Sequence, residues 1–389
     1  MAKNIKKKIF YWSPFLVPIA TPKAVINSAY ALKKFSKQYD CYILNFFGEF
    51  NIFKKLIINK KIFLINYFNF NILKFLPSYG LFKSRFSFLL IFFLSFFPLK
   101  NLLKKEKPEY LIIHLITSLP LILLLIFSFK TKFILRISGM PRLGFFRKIL
   151  WKYSLQKIYY VTCPTKSTAK YLKSLNIVNS DKIKILYDPV IDSEEINKKI
   201  KKSKSNLLPK EYFLAAGRLT YQKNFIFLCK SFMKVLQRSP KLKLIIAGEG
   251  EDEINIRNFI KEKQLQENIY LIGYIENIYP IIKRARAFIL SSLWEDPGFV
   301  LLESAYCKTP VISSDCKTGP REILKNNFNA FVFQSNNIQS FERTFNSFLS
   351  CKQIKKIVKN NFNVSKKFSL KYHYGKISKI LQNDYSKKA

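Results

Sequence analysis

Histidine is nearly absent from this chain: two residues in 389, His114 and His373. None of the six cysteines forms a CxxC pair or stands beside a histidine. A structural zinc site of the usual ligand spacing is therefore excluded, and the thiols read as reduced cysteines of a cytosolic chain. Acidic residues are also scarce, 24 Asp and Glu against 67 Lys and Arg, a formal charge of +43. That balance suits nucleic acid, an anionic membrane surface or an acidic small molecule. The joint richness in Lys, Asn, Ile and Phe is also what an AT-rich genome produces, which accounts for part of the excess. The bases fall in short clusters (6–8, 60–61, 104–105, 198–199) with no continuous arm or recognition helix, which argues against a nucleic-acid binder. No cleavable signal is expected, because the apolar run after the basic residues 3–8 is broken by Pro14 and Pro18.

Long apolar runs without charge are few. Residues 86–97 are too short to cross a bilayer. Residues 111–129 approach spanning length but contain His114, Thr117, Ser118 and Pro120. A strand, a turn and a buried helix fit them at least as well as a membrane span.

What the chain does contain is alternation. Strand-like apolar runs at 5–12, 41–46, 110–114, 133–137, 158–163 and 183–186 alternate with helical periodicity at 24–37, 82–103, 146–154 and 166–175. A polar, lysine-dense stretch at 192–204 reads as a linker. A second series follows, with strands at 212–216, 242–247, 269–272, 287–291 and 311–313 and helices between them. The expected class is α/β, with parallel sheets covered on both faces. The expected domains are 1–190, a linker at 191–208, a second domain at 209–365 and a terminal helix within 366–389.

One stretch organises the rest. Residues 291–303, SSLWEDPGFVLLE, follow a short strand and open a helix, with Pro297-Gly298 in the turn. The free amides and dipole of such a helix start suit a phosphate. Glu295 and Glu303, seven residues apart, can accept hydrogen bonds from sugar or ribose hydroxyls. The turn after the first strand of the second half carries Gly217, Arg218 and Lys223, so two cations can point at one anion. Gly248-Glu249-Gly250 is a second glycine turn before a helix. Glu251-Asp252-Glu253 fits a helix first turn better than a metal site.

Taken in order, Gly217-Arg218-Leu219 with Lys223, Gly248-x-Gly250, Leu271-Ile272-Gly273-Tyr274, the Glu295/Glu303 pair and residues 315–322 (DCKTGPRE) resemble a retaining glycosyltransferase of the GT-B fold, family 4. The resemblance spans about 212–333. It implies two Rossmann-like domains facing across a deep cleft, with the terminal helix crossing back to the N-terminal, acceptor-binding domain. It implies a nucleotide-sugar donor, UDP by family habit, and neither metal nor cofactor. Arg218 and Lys223 would hold the donor diphosphate, Glu295 the donor sugar and Glu303 the ribose. Gly298, Phe299 and Val300 would meet sugar and phosphate, while Tyr274 and Ile275 would flank the base. His114 would lie near the acceptor and the transferred sugar. Catalytic roles thus fall to His114, Arg218, Lys223 and Glu295, and donor contacts also to Gly217, Gly248 and Gly250. The chain departs from the family pattern in three places: residues 13–18 replace a Gly-Gly loop, Asp296-Pro297 precedes Gly298, and Asn329-Ala330 replaces an Asn-Gly turn.

The implied acceptor is a lipid-linked or polysaccharide glycan at the inner face of the cytoplasmic membrane. Basic clusters and the apolar 82–103 region suit peripheral attachment to an anionic surface. Alternatives from other classes are an epimerase-like GT-B enzyme, a basic nucleic-acid binder and an integral membrane protein.

Overall fold

A computed structural model describes residues 6–16, 20–68, 81–141, 143–202 and 208–382, without the side chains of 81–84. Two compact units emerge: residues 1–189 with 370–389, and residues 190–369.

Unit 1 holds seven parallel strands. In chain order they are β1 Lys7–Trp12, β2 Tyr39–Asn45, β3 Phe63–Asn66, β4 Tyr110–Ile113, β5 Lys132–Arg136, β6 Tyr160–Cys163 and β7 Ile183–Ile185. Their order across the sheet is β3-β2-β1-β4-β5-β6-β7. The crossovers carry α1 Ala20–Phe35, α2 Lys54–Asn59, α3 Leu81–Glu106, α4 Ser118–Ile126, α5 Phe145–Lys157 and α6 Lys166–Ser174. Strand alternation sends Phe10, Trp12, Leu111, Ile113 and Leu135 into a core with α3 to α6. It sends Ile9, Tyr11, Ile112 and Ile134 into a second core, under α1 and the last helix of the chain. The 111–129 run resolves into β4, buried at every position, and α4, which buries Leu119, Leu121 and Leu123.

Unit 2 begins where a linker was expected. Residues 193–201 instead form α7 (Ser193–Lys201), capped by Asp192, whose side chain accepts from Glu195 N–H. Glu194 and Glu195 in the first turn and lysines in the last turn suit the helix dipole, which the lysine density obscured. Residues 203–207 of that linker lie outside the described residues, as do 17–18 of the departing loop and 69–76 of the region after α2. The unit then runs β8 Phe213–Ala216, α8 Phe225–Leu236, β9 Leu244–Ala247, α9 Glu253–Glu262, β10 Ile269–Leu271, α10 Tyr279–Arg284, β11 Ala287–Leu290, β12 Trp294–Glu295, α11 Phe299–Tyr306, β13 Val311–Ser314, β14 Lys317–Thr318, α12 Gly319–Ile323, β15 Phe331–Phe333, α13 Ile338–Leu349 and α14 Ile354–Ser365. Six strands form one sheet in the order β10-β9-β8-β11-β13-β15, and β12 pairs with β14 in a separate two-stranded ladder. Strands such as FLAA, LIIA and AFIL are buried at every residue, as strands covered on both faces must be.

After α14 the chain returns to unit 1 as α15 Leu370–Gln382, packed on α1. His373 Nε2 lies 2.9 Å from Ser28 Oγ, its Nδ1 lies 2.8 Å from Tyr187 O, and Tyr110 Oη donates to Leu381 O.

Glu49, buried in the loop after β2, accepts from Phe47 N–H through Oε2 at 2.9 Å, while Oε1 has no partner among the described residues. Burial pushes its carboxyl up from 4.5 to about 7. The folded chain therefore holds this proton more tightly than the unfolded chain. Its contribution to stability is present below pH 4.5 and is lost as pH rises through about 7. Glu49→Gln should remove that loss. Thermal unfolding should show the variant gaining stability over the parent, on the order of 3 kcal/mol more at pH 8 than at pH 4.

Candidate active site

Parallel strands deliver their following loops to one edge, and in unit 2 three of those loops interlock through glycine. Gly217 N–H donates to Ala247 O at 3.0 Å, Gly248 N–H to Gly273 O at 2.8 Å and Leu219 N–H to Glu249 O at 2.9 Å. A Cβ on Gly248, where φ is +141°, would stand 1.9 Å from Gly217 O, and one on Gly250 2.3 Å from Leu219 O. Backbone passes backbone there with no room for a side chain. Gly248 and Gly250, expected as donor contacts, are required by the loop packing as well.

The Gly217 loop carries Arg218 on its surface, exposed and paired with no acid among the described residues. The Lys223 chain folds back over Gly217, whose added Cβ would meet Lys223 Cε at 3.1 Å. Its Nζ ends on Glu295 Oε1 in a short ion pair. Ser292 Oγ donates to the same carboxylate oxygen at 2.7 Å. The backbone under this pair is tied to the lysine loop twice: Ser291 Oγ donates to Lys223 O and Leu293 N–H to Gln222 O, each at 2.8 Å.

β12 alternates as a strand must, Trp294 outward and Glu295 inward. Its partner β14 sets Thr318 opposite Glu295, and Thr318 Oγ1 donates to Glu295 O. The Asp296–Pro297 peptide bond is cis. Gly298, at φ +94°, then turns the chain into α11, which starts at Phe299 and Val300. One turn on, the buried Glu303 accepts from Tyr279 Oη of α10 at 2.9 Å. Tyr274 is exposed and Ile275 half-buried after Gly273, with Tyr274 N–H donating to Glu249 Oε1 at 3.3 Å.

All the expected site residues but one thus belong to unit 2, on the loops after its strands, on β12 or in the first turns of α11. His114 belongs to unit 1. It follows β4 directly, is buried, and neither ring nitrogen has a hydrogen-bond partner among the described residues. Burial holds its pKa well below the usual 6.5, helped by the neighbouring charges of Arg136 and His373, so the ring is neutral near pH 7. It lines a cavity of about 20 Å³ shared with Ser28, Thr162, Asp188 and His373, space for about one water. Arg136 in the same wall is paired with Asp188.

Sequence reasoning missed Ser292, Thr318 and Tyr279. The serine pair after β11 was a readable signal. A two-residue ladder and a tyrosine at a helix start carry none. The acidic cluster at 251–253 behaves as a helix start, with Glu253 accepting from Arg257 at 2.7 and 2.9 Å. Among the described residues no group of three or more His, Cys, Asp or Glu is placed to hold a metal ion.

Residues 195–363 match the model of the family "Glycosyl transferases group 1". An uncharacterized glycosyltransferase of Methanocaldococcus jannaschii is 33% identical over 247 residues, 59% of this chain and 61% of that protein. The N-acetylgalactosamine-N,N'-diacetylbacillosaminyl-diphospho-undecaprenol 4-alpha-N-acetylgalactosaminyltransferase of Campylobacter jejuni is 29% identical over 47% of this chain and 48% of its own. The chain thus spans about half to three fifths of the curated relatives it matches. Among solved structures, Anabaena HepE in complex with UDP and glucose superposes with a TM-score of 0.69 at 14% identity, covering 96% of this chain and 99% of that one. The fold is that of the GT-B glycosyltransferases, two parallel-sheet α/β domains.

The buried ion pair makes a prediction about stability. Lys223→Met strands a buried carboxylate and should cost about 3 kcal/mol in urea unfolding. Adding Glu295→Gln should recover much of that loss, so the double variant costs less than the sum of the singles. Motif order, loop geometry and sequence likeness point the same way: the segment 195–363 matches the glycosyl transferases group 1 family.

Proposed function

We propose that the chain is a retaining, metal-independent glycosyltransferase of family 4. It moves a hexose or N-acetylhexosamine from a nucleotide sugar, with UDP as the carrier, to a lipid-linked or polysaccharide acceptor of the cell envelope. The observation that carries this reading is the ion pair of Lys223 and Glu295 in unit 2, with Arg218 exposed on the lysine loop and Glu303 one turn into the helix that follows Glu295. A departing nucleoside diphosphate needs fixed positive charge where its negative charge grows. Arg218, Lys223 and the first amides of α11 supply it without a metal. Glu303, steadied by Tyr279, is suited to the hydroxyls of a ribose.

Glu295 is engaged by Lys223 and Ser292 through one oxygen, which suits a group that orients a sugar. A carboxylate so engaged is a poor nucleophile. The reading therefore favours front-face attack, in which the leaving phosphate takes the acceptor's proton, over a glycosyl-enzyme intermediate. The neutral His114 can exchange one hydrogen bond with a sugar but carries no charge to lend.

The Anabaena neighbour bound UDP and glucose, and the Campylobacter relative is named for transfer onto a diphospho-undecaprenol glycan. Both support the donor and acceptor classes. The same reading puts the enzyme in the cytoplasm, at the inner face of the cytoplasmic membrane, with no role for nucleic acid.

Thermal stabilisation across a panel of nucleotide sugars should single out a UDP-sugar. Arg218→Ala combined with Lys223→Ala should lower transfer by a factor on the order of a hundred to a thousand. A double variant with full activity would overturn the leaving-group assignment. Proton NMR of the product should show the donor's anomeric configuration. Tyr279→Phe should raise the donor KM roughly threefold to tenfold with little change in kcat.

A further inference from the structure

α3 and α5 each bury one stripe and expose another that is wrong for water. On α3, Ser87, Ile91, Ser95, Leu99 and Leu103 recur every four residues and are buried, three of them in the core beneath the sheet. Around the helix from them Phe86, Leu89, Phe93 and Phe97 are exposed. On α5, Trp151 and Leu155 are buried while Phe145, Phe146, Ile149 and Tyr153 face out. Phe146 at 84% and Phe145 at 74% are the most exposed large hydrophobic residues among those described. α4 packs against both helices and shares their core on one side of the sheet, and its own Ile126 is exposed as well. An apolar surface of this extent marks an interaction site.

Charge decides what covers it. Across α3, α4 and α5 the single acid is Glu106, and it is paired with Lys8 at 2.8 Å. Arg85, Lys104, Lys105, Arg147, Lys148 and Lys152 are all exposed on the same helices. Protein interfaces are depleted of lysine at their centres, whereas phenyl rings among lysines are the complement of an anionic bilayer. Residues 85–106 are long and apolar enough to span, with a mean hydropathy of 1.9. Spanning, however, would pull Ile91, Leu99 and Leu103 out of the unit 1 core. We propose that α3 and α5 form one docking surface that lies in the plane of an anionic phospholipid bilayer, with the phenyl rings at the headgroup boundary and the lysines at the phosphates.

This deepens the proposed function by naming the surface, and rests on it only in that a lipid-linked acceptor resides in a membrane. The binding test contains neither donor nor acceptor, so its failure and the failure of the transferase reading are separate results. The full chain should float with phosphatidylcholine vesicles containing about one third phosphatidylglycerol, bind weakly to phosphatidylcholine alone, and come off in high salt or alkaline carbonate. Phe145→Ser with Phe146→Ser, Lys148→Glu with Lys152→Glu, and independently Phe93→Ser with Phe97→Ser on α3, should each weaken partitioning roughly tenfold or more. Ile254→Ser, at an equally bare position on α9 of unit 2, should leave it unchanged. A parent chain that stays soluble with anionic vesicles, variants that float like the parent, or retention through carbonate would each overturn the proposal.

Discussion

The site of unit 2 depends on one constraint, that two loops cross with their backbones in contact. Gly248 and Gly250 lie so close to Gly217 O and Leu219 O that no side chain fits at either. Three strand ends are thereby held in one arrangement before any charged group is considered. Lys223 lies along Gly217, and its ammonium meets the carboxylate of Glu295. A methyl group at Gly248 would push the whole loop, and the cation with it, away from the turn at 291–303.

Left to themselves Lys223 and Glu295 neutralise each other. A pair of this kind lends little net stability, since each charge has given up water to form it. Its value is in what can replace it. A phosphate can draw the ammonium and a sugar hydroxyl can take up the carboxylate, so one ligand that carries both exchanges the pair for two contacts. Ser292, Thr318 and the backbone ties to residues 222–223 keep the carboxylate in position during such an exchange.

Most of this architecture was legible in the chain. Strands buried on both faces advertise themselves as unbroken apolar runs, and β8, β9, β11 and β13 fell where such runs stand. The turn at 291–303 was readable because it follows an apolar strand and runs through Pro-Gly into a helix. What escaped was held by contacts distant in sequence. The β12–β14 ladder joins residues 23 apart with two residues a side, and Tyr279 reaches Glu303 from another helix. α7 was hidden for a different reason. Its helix rests on an aspartate cap, charge order and one buried isoleucine, and lysine density alone reads as linker. The packing role of the glycines at 248 and 250 was not legible, because a glycine needed by a ligand and one needed by a neighbouring loop look identical in one dimension.

Unit 1 is discontinuous: it takes its last helix from residues 370–382, after all of unit 2. On the ribosome, then, the second unit is finished while the first still lacks a wall. Until α15 emerges, Ser28, Tyr110 and the apolar face of α1 lack the contacts that this helix supplies, and the nascent chain carries an open hydrophobic seam through the synthesis of nearly half its length. A chain interrupted near its end would present a complete unit 2 beside an uncapped unit 1, a species that chaperones and proteases distinguish readily from the finished protein.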